Sequence, residues 1–351
     1  MQYGAICEGA GIRSTTFLPT PPSPKTKNPR HFLSLSLCHC VIAEIAWGKF
    51  RYDFEVQYEF GRNDGIGAVM HLQMGYRHFD TAKIYGSEAA VGKALTTAME
   101  EEGDTIVRED VFLTSKLWSS DHHDPVSALK KSLQTLGMEY VDMYLVHWPV
   151  KFKPWAIGAI PKEDEFEPKL EMEETWAGME RCLDMGLCRC IGVSNFSSKK
   201  ILDLLDFASA YPAANQVEMH PMWRQRKLRE VCAENEIHVS AYSPLGAPGN
   251  LWGSTAVVDD PIIQSIAFKH RASPAQVALQ WGISKGVSVI AKSFNKNRMR
   301  ENMGALDLEL DCRDLLEIDK LEERKMMRGE FLVNETSSPY RTIQDLWDGE
   351  I

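Results

Sequence analysis

Gly75-Tyr-Arg-His-Phe-Asp-Thr-Ala-Lys-Ile-Tyr-Gly-Ser-Glu88 is a short β-type run that stops on an acid, followed five residues later by a tyrosine at the start of a helix. The run, 76–80, ends in Asp80. Tyr85 stands beside Gly86, where a segment rich in Ala and Val opens a helix over 87–101. An acid and a phenol are therefore displayed at the C-terminal tip of one strand. Taken alone, the stretch also fits a plain βα turn, with Asp80 capping the helix and Tyr85 filling a packed corner. What favours a site is the recurrence of the same pattern further along the chain.

From Ala68 onward, short β-rich runs alternate with helical patterns. Strands are expected at 76–80, 111–116, 141–147, 189–194, 214–218, 237–242 and 287–291. Helices are expected near 87–101, 125–136, 172–186, 198–209 and 226–236, and over 260–285 with a break at Ser273-Pro274. Glu-rich first turns such as Glu171 to Glu174, and Gly137 or Gly186 after a last turn, are ordinary start and stop signals. Strand–helix units in single file imply parallel strands. An eight-unit α/β barrel, a (β/α)8 TIM barrel, is their natural closure, with its first strand upstream of Ala68.

The composition suits such a core: 44% of the 351 residues are hydrophobic and 25% charged. A net charge of −10 argues against nucleic acid as an electrostatic partner, because such partners need a basic face. The eight cysteines contain no Cys-x-x-Cys and fit scattered reduced thiols; no metal site is expected.

Residues 1–67 differ from the rest and are expected to form an atypical, partly disordered leader. Up to Ala43 there are four basic residues, Arg13, Lys25, Lys27 and Arg30, against the single acid Glu8. Leu18-Pro-Thr-Pro-Pro-Ser-Pro-Lys25 is proline-dominated. The apolar stretch from His31 to Trp47 is interrupted by Ser, His and Glu44 and is too short for a membrane span. An acid-poor, hydroxyl-rich start also fits an organelle transit peptide, so a cytoplasmic protein is expected, with a plastid as the alternative.

Reactive groups of parallel barrels collect where the strands end. Those ends deliver Asp80, Lys116, His147, Ser194 with Asn195, Gln216, Tyr242 and Lys292. Asp, Tyr, Lys and His together suit proton donation to a carbonyl oxygen. A phenol is a poor acid at neutrality, but a neighbouring ammonium stabilises its phenolate. Asp80 would hold Lys116, and His147 would orient the carbonyl. Trp118 and Trp148 follow two of these residues and would wall the pocket with indole. Near the last strand end, Lys292, Ser293, Arg298 and free N–H groups of the following helix suit a dianionic phosphate, which points to NADP over NAD.

These motifs resemble the aldo-keto reductase superfamily over roughly 68–351. They are Gly75–Ala82 with Tyr85, Leu113-Thr-Ser-Lys116, Val141-Asp-Met-Tyr-Leu-Val-His-Trp-Pro149, Gly192-Val-Ser-Asn-Phe196, Asn215-Gln-Val-Glu218, Ala241-Tyr-Ser-Pro-Leu-Gly246 and Lys292-Ser293. The ending Asp345-Leu-Trp-Asp-Gly-Glu-Ile351 is similar to the plant branch that includes chalcone, codeinone and methylecgonone reductases. The resemblance implies an oxidoreductase barrel over 68–328, NADPH as cofactor, a small-molecule carbonyl substrate and a monomer. Its catalytic tetrad would be Asp80, Tyr85, Lys116 and His147.

It further implies that Ser194, Asn195 and Gln216 bind the carboxamide and that Tyr242 stacks on the nicotinamide. Ser243 and Leu245 would line the pyrophosphate stretch. Lys292, Ser293, Arg298 and Asn302 would line the adenosine-phosphate end. The tail at 329–351, with Tyr340 and Trp347, is similar to the loop that closes over substrate. Alternatives within this frame are a reductase acting on a polyketide intermediate beside a synthase, and an impaired or non-catalytic nucleotide-binding barrel. The departure is at the start: nothing in 1–67 matches the family's opening hairpin and first strand. A barrel missing that strand would have two open edges, so either an unrelated segment such as 38–47 or 52–60 substitutes, or the protein is impaired, or this reading of the gene's start is wrong.

Overall fold

The computed structural model describes residues 54–57, 71–100 and 106–351, and of 54–57 the backbone alone. The expected leader therefore lies outside the described residues except for those four positions, as does the candidate first strand at 38–47.

The missing stave comes from the other candidate segment. A short strand, β1 (Phe54–Gln57), pairs in parallel with β2 (His78–Asp80) in the register Glu55↔His78 to Gln57↔Asp80. Its other edge pairs in parallel with β8 (Ser288–Ile290). Between them run β3 (Phe112–Leu117), β4 (Val141–Val146), β5 (Cys188–Ser194), β6 (Ala214–Glu218) and β7 (His238–Tyr242). All neighbours are parallel and the order β1 to β8 closes into a barrel, so no sheet edge is left for another chain to pair with. The first strand of the expected barrel is thus substituted rather than absent.

The helices follow the expected spans. They are α1 (Glu88–Glu100), α2 (Pro125–Leu136), α3 (Met172–Asp184), α4 (Ser198–Phe207), α5 (Arg226–Glu234) and the short α6 (Ala256–Asp259). Then come α7 (Pro261–His270), α8 (Pro274–Ser284), α9 (Lys296–Met303), α10 (Cys312–Ile318) and, in the tail, α11 (Ile343–Trp347). The break anticipated at Ser273-Pro274 has a local cause. Ser273 caps α8 by accepting from the Gln276 N–H, the Gln276 side chain returns to the Ser273 N–H, and Pro274 occupies the first helical position.

Strand alternation divides the core in two. Side chains at one parity, among them Phe79, Leu113, Leu117, Tyr144 and Val193, point outward into the layer of helices. The other parity points into the barrel, where Met143, Leu145, Cys190 and Ala214 pack as a small plug. Gly192 is needed in that plug: a Cβ there would stand 2.6 Å from the Ala214 carbonyl oxygen and 2.8 Å from Leu145 Cδ2. One step further along each inward-facing row lies the C-terminal mouth, which is where the polar residues appear. Cys182, Cys188 and Cys232 are free and buried.

Above the mouth, a second apolar cluster joins Trp118, Trp148, Val150, Phe152 and Phe166 to Leu332, Leu346 and Trp347 of the tail. The tail is pinned at its end. Asp348 pairs with Lys200 at 2.6 Å, and Glu350 accepts from the backbone N–H of Ser198 at 2.9 Å, both on the first turn of α4, where acids complement the helix dipole. Among the described residues, no helix is long and apolar enough to cross a membrane, and no cluster of three or more His, Cys, Asp or Glu side chains could hold a metal ion.

Candidate active site

Three of the four members of the expected tetrad are delivered by the parity rule. Asp80 is the last residue of β2, Lys116 faces inward from β3, and His147 follows β4. The His147 N–H continues the ladder by donating to the Leu117 carbonyl at 3.1 Å. Tyr85 arrives by a different route, on a 3-10 turn, Lys83–Tyr85, closed by Gly86 at φ 67°. Glycine takes that left-handed conformation without the Cβ penalty, and its N–H donates to the Lys83 carbonyl.

These side chains meet. The Lys116 ammonium is ion-paired to Asp80 Oδ1, and both side chains are fully buried. It also donates to the Thr81 carbonyl at 3.2 Å. The other carboxylate oxygen of Asp80 accepts from Gln216 Nε2 at 2.8 Å. Lys116 Nζ stands 4.8 Å from the centroid of the Tyr85 ring. The Tyr85 hydroxyl and His147 Nε2 share a hydrogen bond of 3.2 Å.

Burial first, then the Lys116 ammonium and His122, hold the His147 pKa well below its ordinary 6.5, so the imidazole is neutral at pH 7. The Trp118 ring packs edge-on against it at 5.2 Å. Its Nδ1 is buried with no hydrogen-bond partner among the described residues.

Next to the tetrad, a linked set of polar groups fixes the far wall. Asn195, at φ 62°, donates to the carbonyl of His147 at 3.0 Å and to Ser194 Oγ at 3.1 Å. Its side-chain oxygen accepts from the Tyr242 hydroxyl at 2.7 Å, and Ser194 Oγ donates to the Gln216 carbonyl at 2.8 Å. The left-handed backbone at a non-glycine residue is a strained conformation, held here by this network.

A cleft of about 740 Å³ opens over these residues. Tyr85, His147, Trp118 and Trp148 line one end. Ser194, Asn195, Gln216, Tyr242, Ser243 and Leu245 line its middle, and Lys292, Ser293, Arg298 and Asn302 its other end. All ten residues expected to contact a cofactor therefore share one continuous surface. One expectation is corrected at the basic end. The first N–H groups of α9 are not free, because the Asn295 side chain accepts from both Asn297 N and Arg298 N. Charge at that end comes instead from the exposed side chains of Lys292 and Arg298.

Tyr340, expected in the substrate pocket, does not line the cleft. The tail doubles back, with the Asn334 N–H donating to the Tyr340 carbonyl. That fold-back turns the phenol toward Pro149, whose carbonyl accepts from its hydroxyl at 2.9 Å, while Lys200 lies over the ring at 4.8 Å. Trp347 is likewise buried, edge-on to Trp148. Polar cleft-lining residues not anticipated include Asn250, Asn295 and Glu301, and apolar ones include Ile84, Ala159, Trp252, Phe294, Met327 and Phe331. The apolar ones lie in loops and 3-10 turns, where no local pattern distinguishes them from packing residues.

The mouth of this parallel barrel brings together an acid, an ammonium, a phenol and a neutral imidazole beside a long cleft with a basic end, groups suited to acid–base chemistry next to an anionic ligand. Comparison with known proteins agrees. The model of the Aldo/keto reductase family matches residues 66–323, and the chain belongs to that family.

The chain is 46% identical over 287 residues to a 7-acetyl-epi-neemfruitin B aldo-keto reductase of Melia azedarach, covering 81% of this chain and 88% of that one. It is 47% identical over 282 residues to deoxymugineic acid synthase 1-D of Triticum aestivum, covering 80% and 89%. Aldo-keto reductase family 4 member C11 of Arabidopsis thaliana is 42% identical over 290 residues, covering 82% and 90%. Among solved structures, aldose reductase from Schistosoma japonicum superposes with a TM-score of 0.74 at 29% identity, over 82% of this chain and 94% of that one. Aldose reductase from Giardia lamblia gives 0.73 at 30%, over 79% and 95%. The protein is thus an oxidoreductase of a carbonyl-reducing family.

Proposed function

We propose that this protein reduces a ketone or aldehyde to the alcohol with NADPH, Tyr85 supplying the proton. The observation that carries the reading is the 3.2 Å hydrogen bond between the Tyr85 hydroxyl and a neutral His147, in a cleft that runs on to Lys292 and Arg298. The residues present fit the cofactor. Ser194, Asn195 and Gln216 bring hydroxyl and amide groups suited to a carboxamide, Tyr242 brings an aromatic ring, and the far end brings two cations and a hydroxyl suited to a phosphate. Ser243 and Leu245 lie between those ends.

Bound NADPH supplies the hydride to the carbonyl carbon. The protein's own groups do the rest. His147, neutral, orients the carbonyl oxygen by a hydrogen bond, and the Tyr85 hydroxyl transfers its proton to that oxygen as negative charge develops on it. The Lys116 ammonium stabilises the phenolate left behind. Asp80 fixes the ammonium, and Gln216 fixes Asp80. The indoles of Trp118 and Trp148, with Ile84, Met327 and Phe331, shield the reacting end from water and favour an apolar small-molecule carbonyl.

The test is NADPH oxidation with a panel of ketones and aldehydes. Tyr85→Phe is expected to lower kcat by about 10²–10⁴-fold, the span of a lost general acid. Unchanged turnover in that variant would overturn the assignment of the proton donor. We place the working enzyme as a monomer in the cytoplasm, with the plastid as the alternative. Light scattering on the purified chain and imaging of a fluorescent fusion address each.

A further inference from the structure

Glu218, two residues beyond Gln216 on the inward face of β6, is completely buried and takes no part in the tetrad. Its carboxylate grips the segment that leads into the tail. One oxygen accepts from the backbone N–H of Met326 at 2.7 Å, the other from that of Met327 at 2.9 Å. His220 Nε2 lies 3.0 Å from the first oxygen, and Lys325 Nζ 3.9 Å from the second.

Lys325 is itself enclosed. Its ammonium stands 3.6 Å from the ring centroid of Trp347 and 5.1 Å from that of Trp223, two cation–π contacts, and it has no hydrogen-bond acceptor among the described residues.

The same tryptophan ties the ends of the tail together. Trp347 Nε1 donates to the Arg328 carbonyl at 2.8 Å, its ring meets Trp148 edge-on at 5.9 Å, and Trp148 meets Phe331 at the same distance. Met327, just before the tail, and Phe331 within it both line the cleft and therefore hang from a frame whose fixed point is Glu218.

A buried carboxylate–ammonium pair is a poor device for stability, because desolvation offsets the attraction. Burial holds Lys325 down to about 8, against partial compensation from Glu218 and Glu350. What the arrangement supplies is position: two adjacent backbone N–H groups held by one rigid carboxylate on a barrel strand.

We propose that Glu218 and Lys325 act as positioning residues, a latch that sets Met327 and Phe331 over the cleft and thereby selects among carbonyl substrates by the bulk of their apolar part. The proposal deepens the reductase reading and rests on it for the word substrate. A tail held this way presents a fixed wall to a bulky apolar ketone, which must pack against it, and leaves a small aldehyde indifferent.

The experiment compares wild type with Lys325→Met, Lys325→Arg and Glu218→Gln. Three readouts are taken: hydrogen exchange across 325–332, NADPH affinity by quenching of tryptophan fluorescence, and steady-state kinetics with propanal and with a bulky aryl ketone. In Lys325→Met the expected results are faster exchange at Met326 and Met327 and an aryl-ketone KM raised about tenfold, with propanal kinetics and NADPH affinity within about twofold of wild type. Lys325→Arg restores the cation and should restore both exchange and KM.

Unchanged exchange in Lys325→Met overturns the latch, as does an equal change for both carbonyls. Should Glu218→Gln not fold, the two Lys325 variants decide alone. A wild-type chain that turns over no carbonyl defeats the reductase reading, whereas the exchange measurement still upholds or defeats the latch.

Discussion

Gln216 donates to Asp80 across the mouth of the barrel at 2.8 Å, so the carboxylate that holds Lys116 is itself held from the opposite wall. A buried acid gripped on both oxygens has one rotamer, and the ammonium it pairs with inherits that precision.

Breaking this chain at its middle should cost more than breaking it at its end. Asp80→Asn leaves a buried ammonium without its counter-charge and is expected to lower kcat by about 10²–10³-fold. Gln216→Ala, which frees only one carboxylate oxygen, should cost about tenfold or less. Single-turnover rates with NADPH and one aldehyde would separate the two effects from changes in product release.

Acid should unfold the protein through its buried histidines. Burial, with Lys151 and His123 nearby, holds His122 at about 3, and His147 is also well below 6.5. In both cases the folded value lies below the unfolded one. Below pH 6.5 the unfolded chain takes up protons that the folded chain refuses, and stability falls with pH. For His122 alone the loss is about 2 kcal/mol between pH 6.5 and 5. Thermal melts of wild type and His122→Asn across that range should diverge by that amount; parallel curves would refute it.

Toward the alkaline end, Lys325 acts in the same direction, stability rising with pH. With a folded value of about 8 against 10.5 for an ordinary lysine, the cost of burying its charge is present in full below pH 8 and disappears as pH rises through 10.5. Wild type should therefore gain up to about 3 kcal/mol on Lys325→Met across that interval. Denaturant midpoints of the two proteins at matched pH measure the difference.

The plug at the barrel centre has no spare volume at Gly192. Gly192→Ala drives a methyl into the Ala214 carbonyl and Leu145 and is expected to destabilise by about 1–3 kcal/mol. Urea unfolding followed by circular dichroism would show it, and a wild-type midpoint would mean that β5 and β6 can separate.

At the far end of the cleft, Arg298→Ala should weaken NADPH binding by about tenfold or more and leave NADH binding nearly unchanged, since a charge-assisted contact to a phosphate contributes about 1.5–3 kcal/mol. Equal losses for both cofactors would remove Arg298 from the phosphate site. Titration of the intrinsic fluorescence with each nucleotide gives both affinities.

Local order was legible in the chain itself. Alternation of β-rich and helical patterns placed seven strands within two residues of their observed ends, because strand parity and helix caps are short-range physics. Asp80, Lys116, His147, Ser194, Gln216 and Tyr242 could be named for the same reason: each lies within two residues of the end of its own strand, and parallel closure brings strand ends to one mouth.

Tertiary structure decided what depends on contacts distant in sequence. Only closure showed that Phe54–Gln57 completes the barrel, since four residues without the familiar turn carry too little pattern to be recognised before β2 and β8 flank them. Only packing turned Tyr340 away from the cleft and put Met327 and Phe331 into it, and only packing joined Glu218 to backbone groups more than a hundred residues on. The physical reason is the same in each case: a side chain's local sequence sets the element it rides on, whereas its partner is set by where the folded chain returns.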